Sequence, residues 1–139
     1  MENVSVSFEV LEDGKRPSVE HKRVTFHMIY DIKMDFTRKF RLAAEGCRTL
    51  NRVTSTYAGV VSRESVRIAF TYAALNGLYV WAADVKNAFL QAPCSEKYYT
   101  VCGPEFGGEF IGKLAIIVRA DHGLKYAGAD FRNHLRNCI

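Results

Sequence analysis

A helical stretch that runs straight into a strand-like run constrains this chain more than any other feature. Val66, Ala69, Phe70 and Ala73 recur at helical spacing. Ser62 stands where an N-cap belongs, and Glu64 suits the first turn. Asn76-Gly77 supplies a C-terminal stop, so the spacing predicts a helix over about Arg63 to Asn76. Leu78 to Ala83 (LYVWAA) then reads as a short apolar strand that ends abruptly at Asp84. The middle of the chain therefore mixes helix and strand.

The flanks are mostly strands. Val4, Val6, Phe8 and Val10 alternate with Ser5, Ser7 and Glu9, a half-buried strand pattern. Asp13-Gly14 marks a turn. Arg23 to Ile32 is rich in β-branched and aromatic residues and reads as a strand. Lys39 to Ala44 (KFRLAA) is a third, with Lys39 and Arg41 on one face and Phe40 and Leu42 on the other. The two segments fit a hairpin through Lys33 to Thr37. Gly46 to Tyr57 reads as a loop. A turn or short helix through Lys86 to Leu90 is closed by Pro93. Lys97 to Cys102 and Leu114 to Arg119 are expected strands, joined by a flexible glycine-rich connection from Gly103 to Gly112. Leu124, Ala127, Phe131 and Leu135 share one stripe of a C-terminal helix, whose start Gly123 and Gly128 weaken. The order of elements is an α+β pattern, not regular βαβ alternation.

The 139 residues suit one domain, long enough to fold without a metal or disulfide staple. With 48% hydrophobic and 24% charged residues, the chain is not intrinsically disordered. No apolar run reaches the roughly 20 residues of a membrane span, and the N-terminus lacks a secretory pattern. Cys47, Cys94, Cys102 and Cys138 show no CxxC pairing and read as free thiols of a reducing compartment. An intracellular protein, cytoplasmic or nuclear and not secreted, is expected.

The net charge is +4, and Lys33 to Arg67 carries eight basic residues against three acids, a local +5. Such a field attracts polyanions, although a solvated face with ion pairs reads the same way. Asp84, at the end of its apolar run, is either a hard oxygen ligand for Mg²⁺ in a cleft or the N-cap of the VKNAFL turn. His21, His27, His122 and His134 lack metal-site spacing. No nucleophile elbow, dinucleotide fingerprint or P-loop occurs.

Four segments occur in a telling order: HMIYDIKMDFTRKFRLAAEG, TYAGVVSRESVRIAFTYAALNGLYVWAADVKNAFLQAP, EKYYTVCGPEFG and AIIVRADHGLKYAGADFRNHL. Together they resemble the reverse transcriptase of copia-type retrotransposons, an RNA-directed DNA polymerase of transposable elements. The DVKNAFL segment and the later GLK carry most of the likeness. The resemblance implies a partial right-hand polymerase, fingers and first part of the palm, over residues 23–139. Residues 1–22 stay unassigned. Asp84 would be the first catalytic aspartate and, with the Val85 carbonyl, would hold Mg²⁺. Lys39 and Arg41 would contact the triphosphate, Ala88 would lie beside the nucleotide, and Phe89 would be the steric gate against a 2′-hydroxyl. Gly123, Leu124 and Lys125 would form a loop near the template and nascent pair. The implied partners are an RNA or DNA primer-template, deoxynucleoside triphosphates and the rest of the polyprotein polymerase, with no membrane.

Four departures accompany the likeness. No Asp-Asp pair occurs in the sequence, whereas the family carries a Tyr-x-Asp-Asp hairpin beyond its Gly-Leu-Lys segment. Asp121-His122 stands where the family has Leu-Tyr, and Gly128 stands for a usual proline. Thumb and RNase H regions are not represented. The expectation is a two-metal nucleotidyltransferase family, with this chain alone inactive in primer extension and with apolar surface left uncovered. The alternatives are a non-catalytic basic nucleic-acid-binding module and a degenerate retroelement remnant.

Overall fold

The computed structural model describes residues 7–46 and 56–139. Val4, Val6, Cys47, Arg48, Arg52 and most of the expected Gly46–Tyr57 loop lie outside the described residues. The α+β expectation holds. One sheet has four strands in the order β1 (Phe8–Val10), β6 (Leu114–Arg119), β5 (Pro93–Val101) and β2 (Lys22–Arg23). The β1–β6 and β5–β6 pairs are antiparallel and β2–β5 is parallel. A separate hairpin joins β3 (Phe26–Ile32) and β4 (Arg38–Ala44). Among the described residues there are three α-helices: α1 (Arg63–Leu75), α2 (Ala88–Gln91) and α3 (Ala127–Cys138).

The core lies where the sheet meets α3 and the root of the hairpin. Phe8, Tyr98, Phe106, Ala115, Ile117, Leu124 and Ala127 are buried together, with Phe26, Leu42, Phe89 and Phe131 packed against them. Phe8 meets Phe26 and Phe106 edge-on at ring-centroid distances of 5.2 and 4.9 Å, the arrangement that ring quadrupoles favour. The N-terminal segment left unassigned in sequence thus supplies a central core side chain and an edge strand.

The hairpin turn follows the expectation: Lys33 N–H donates to the Thr37 carbonyl at 3.0 Å, and Asp35 Oδ1 accepts from Thr37 N–H at 3.0 Å. Those contacts with Thr37 hold the Asp35 carboxyl below its ordinary range. The α1 start is also as read, with Ser62 Oγ accepting from Ser65 N–H at 3.0 Å.

Several expectations need correction. Leu78 to Ala83 is not a strand: no ladder partner lies beside it among the described residues, and its side chains face outward, Tyr79 and Trp81 each 93% exposed. A strand requires a neighbour for its N–H and C=O groups. On α1 only Ala73 is buried, while Ile68, Phe70, Tyr72 and Leu75 are exposed. The expected Arg23–Ile32 strand breaks at Val24-Thr25, because Lys22–Arg23 pairs with β5 whereas Phe26 onward pairs with β4. Gly103 to Gly112 is not a slack connection. It holds two 3₁₀ turns, Pro104–Phe106 and Gly108–Phe110, and buries Phe106. No helix among the described residues is long and apolar enough to cross a membrane.

At the root of the hairpin, Ala44 N–H donates to the His122 carbonyl at 2.7 Å and ties the hairpin to the body, while Glu45 N–H donates to the Thr25 carbonyl at 2.9 Å and extends the hairpin's own ladder. Gly123, with φ +87°, lies against the Ala44 backbone, and Gly46 lies against the Gly123 carbonyl. Neither position has room for a β-carbon. This contact sets β4 beside the loop after β6 and so shapes the cavity described next.

Candidate functional site

A cavity of about 410 Å³ opens between β4, α2 and the loop that follows β6. Its walls are Ser7 and Phe8; Lys39 to Leu42; Val85 and Asn87 to Leu90; and Asp121 with His122. Asn87 takes a left-handed conformation, φ 53°, which asparagine tolerates better than most residues. That bend turns the chain from the 78–86 coil into α2 and presents Ala88 and Phe89 to the cavity. The Phe89 ring is held edge-on by His122 at 5.2 Å and by Phe131 at 6.3 Å.

The electrostatics favour an anion. Lys39 and Arg41 line the cavity, and among the described residues no carboxylate pairs with either. The single acid in the wall, Asp121, is 5% exposed. Its Oδ1 accepts the His122 backbone N–H at 2.7 Å and lies 3.6 Å from His122 Nδ1. Burial pushes the Asp121 carboxyl above its ordinary range, while the His122 backbone and ring oppose that shift. Ser7 is buried, and among the described residues its Oγ has no hydrogen-bond partner.

The raised Asp121 pKa has a sign that can be tested. The native state holds this proton more tightly than the unfolded chain does. Stability is therefore full below the ordinary carboxylate range and falls as pH rises through the raised value. Asp121→Asn keeps an acceptor for His122 N–H and removes that loss. We expect a gain in stability near neutral pH that vanishes below the ordinary carboxylate range. Urea unfolding at both pH values reads it, and a variant less stable than wild type near neutrality would count against the argument.

Of the residues singled out in sequence, Lys39, Arg41, Val85, Ala88 and Phe89 line this one cavity although β4 and α2 are far apart in the chain. Asp84 does not line it and stands on exposed coil. It is also not an N-cap: the residue before α2 is Asn87, with no side-chain cap bond. Gly123, Leu124 and Lys125 do not line the cavity either. Gly123 docks the hairpin, and Leu124 belongs to the core. Among the described residues no three His, Cys, Asp or Glu side chains gather as a metal-ligand set. With Asp84 as the one expected carboxylate ligand, on exposed coil, the residues present do not fit a two-metal Mg²⁺ site.

Two cavity groups escaped the sequence reading. Ser7 falls at an outward position of a period-two pattern, and nothing in the sequence marks it. His122 was visible only as a departure from the family motif. Comparison with protein-family models, with curated proteins and with solved structures finds no match for this chain.

Proposed function

We propose that the chain is a fingers and early-palm piece of a copia-type reverse transcriptase, and that its cavity receives a deoxynucleoside triphosphate. The observation that carries this reading is the meeting of two cations, Lys39 and Arg41, unpaired among the described residues, with Ala88 and Phe89 across one cavity. The guanidinium fork of Arg41 matches phosphate oxygens, and Lys39 adds a point charge. Phe89, fixed by its ring neighbours, gives the sugar an apolar wall. Lys33, Arg38, Arg63 and Arg67 are also exposed, and exposed cations suit a nucleic-acid backbone.

What this chain contributes is binding and orientation of the nucleotide. Primer extension belongs to the full-length family, whose other carboxylates are not among these residues. In this reading Phe89 excludes the 2′-hydroxyl. The full chain is expected to bind a deoxynucleoside triphosphate about tenfold more tightly than the matching ribonucleotide. Phe89→Ala should narrow that ratio towards one while retaining binding of both. Fluorescence titration with each nucleotide tests it. An unchanged ratio in the variant removes the gate, and absence of nucleotide binding alongside nucleic-acid binding favours the non-catalytic module.

A further inference from the structure

The cavity holds two polar groups that the family likeness does not explain: the Ser7 hydroxyl and the His122 imidazole. We propose that His122, braced by Asp121, and the Ser7 hydroxyl are further phosphate-binding groups of this cavity, completing the cradle begun by Lys39 and Arg41. The proposal rests on the nucleotide reading above and names the part of the ligand these groups hold.

The first observation is the orphaned hydroxyl. Ser7 is 1% exposed, lines the cavity and leaves Oγ without a partner among the described residues. A buried hydroxyl without a hydrogen bond is costly to keep. A phosphate oxygen seated in the cavity supplies the missing acceptor. The second observation is the posture of His122. Its backbone is fixed at both ends of the peptide unit, the N–H on Asp121 Oδ1 and the C=O on Ala44 N–H. Phe89 packs edge-on against its ring, and Asp121 Oδ1 lies 3.6 Å from Nδ1. The side chain is 43% exposed, so the ring is held yet reachable.

The charges around the ring decide what it can do. Lys39 and Arg41 line the same cavity from β4, and Asp121 adjoins the ring on its own loop. Glu45, beside the docking contact, accepts from Thr25 Oγ1 at 2.7 Å. Two cations and one carboxylate line the wall when the ring is neutral. A protonated ring adds a third donor carrying positive charge. A charge-assisted bond to phosphate is the consequence. Asp121 is thereby a positioning residue for His122 and does not touch the ligand.

The test is calorimetric titration of the full chain at low salt, at about pH 5.5 and about pH 8, which bracket the usual imidazole transition. The ligands are a deoxynucleoside triphosphate and inorganic tripolyphosphate. Both ligands gain protons over this range, so the reading is the ratio of wild-type to His122→Gln affinity at each pH. We expect that ratio to rise about tenfold from high to low pH, for both ligands. A ratio independent of pH overturns the role of His122. Dependence with the nucleotide but not with tripolyphosphate overturns the assignment to phosphate oxygens and moves His122 to the sugar or base. Ser7→Ala should weaken both ligands about threefold to tenfold at either pH without lowering the thermal midpoint. Unchanged affinity in that variant overturns the role of Ser7. Failure of wild type to bind either ligand defeats the nucleotide reading itself, a result distinct from a pH-independent ratio. Amide NMR spectra of each variant report whether it is folded.

Discussion

Gly123→Ala is expected to unfold the junction between the hairpin and the sheet and to cost about 3 kcal/mol or more. Two penalties add. A left-handed backbone at φ +87° costs an L-residue about 1 to 2 kcal/mol. The new β-carbon would also collide with the Ala44 carbonyl, with Ala44 C and N each at 3.0 Å. Ala44 cannot retreat freely, because its N–H is bonded to the His122 carbonyl at 2.7 Å. Moving it forfeits that bond, worth about 1 kcal/mol. Against a total stability of roughly 5 to 15 kcal/mol, the loss is large. Gly112→Ala separates the two penalties: φ is +80° there, but nothing lies within 4 Å of the added carbon. It should cost only the backbone share, about 1 kcal/mol. Chemical unfolding of both variants checks this, and equal losses would show that close packing at Gly123 contributes nothing. Gly46→Ala meets the Gly123 carbonyl from the other side without a left-handed backbone, so it should carry the packing share of the loss alone.

The same junction explains what could be read in sequence and what could not. Features set by neighbours along the chain were legible. Ser62 and Asn76-Gly77 bracket α1, the Leu114–Arg119 strand has the expected bounds, and the Lys33–Thr37 turn closes its hairpin. Features set by distant partners were not. LYVWAA has strand composition, but strand structure needs a ladder partner, and composition does not report one. Val24-Thr25 splits one apparent strand because β5 recruits Lys22–Arg23 from one side. Phe106 is drawn into the core from a glycine-rich segment because Phe8 offers it an edge. The candidate site divides similarly. Lys39, Arg41, Val85, Ala88 and Phe89 were named through a family likeness, and no periodicity would have brought them together. Asp84 was singled out by the apolar run it ends and again by the likeness, yet it stays outside the cavity that its neighbour Val85 lines. Ser7 carried no signal, since an alternating pattern assigns it to solvent, whereas it and Phe8 are both buried.

Removing the Arg41 guanidinium should have the largest effect on ligand binding. Arg41 is exposed, has no carboxylate partner among the described residues and sits on the cavity wall beside Lys39. Arg41→Ala therefore removes little that holds the fold together, and thermal stability should stay within about 0.5 kcal/mol of wild type. A bidentate, charge-assisted contact to phosphate is worth about 1.5 to 3 kcal/mol. Nucleotide affinity should thus fall by roughly 10 to 100-fold. Arg41→Lys keeps the charge but loses the fork, so an intermediate loss is expected. Lys39→Ala should weaken binding by a similar factor through its charge. Pairing the two changes should compound the losses, within the non-additivity expected of adjacent groups. Asp84→Asn provides the contrast, because its side chain lies outside the cavity. In metal-free buffer it should leave nucleotide affinity unchanged. A strong effect of Asp84→Asn with none from Arg41→Ala would relocate the phosphate site from β4 to the coil at 78–86. The opposite pattern ties the triphosphate to the β4 cations and leaves Asp84 to act only where further carboxylates complete its ligand set.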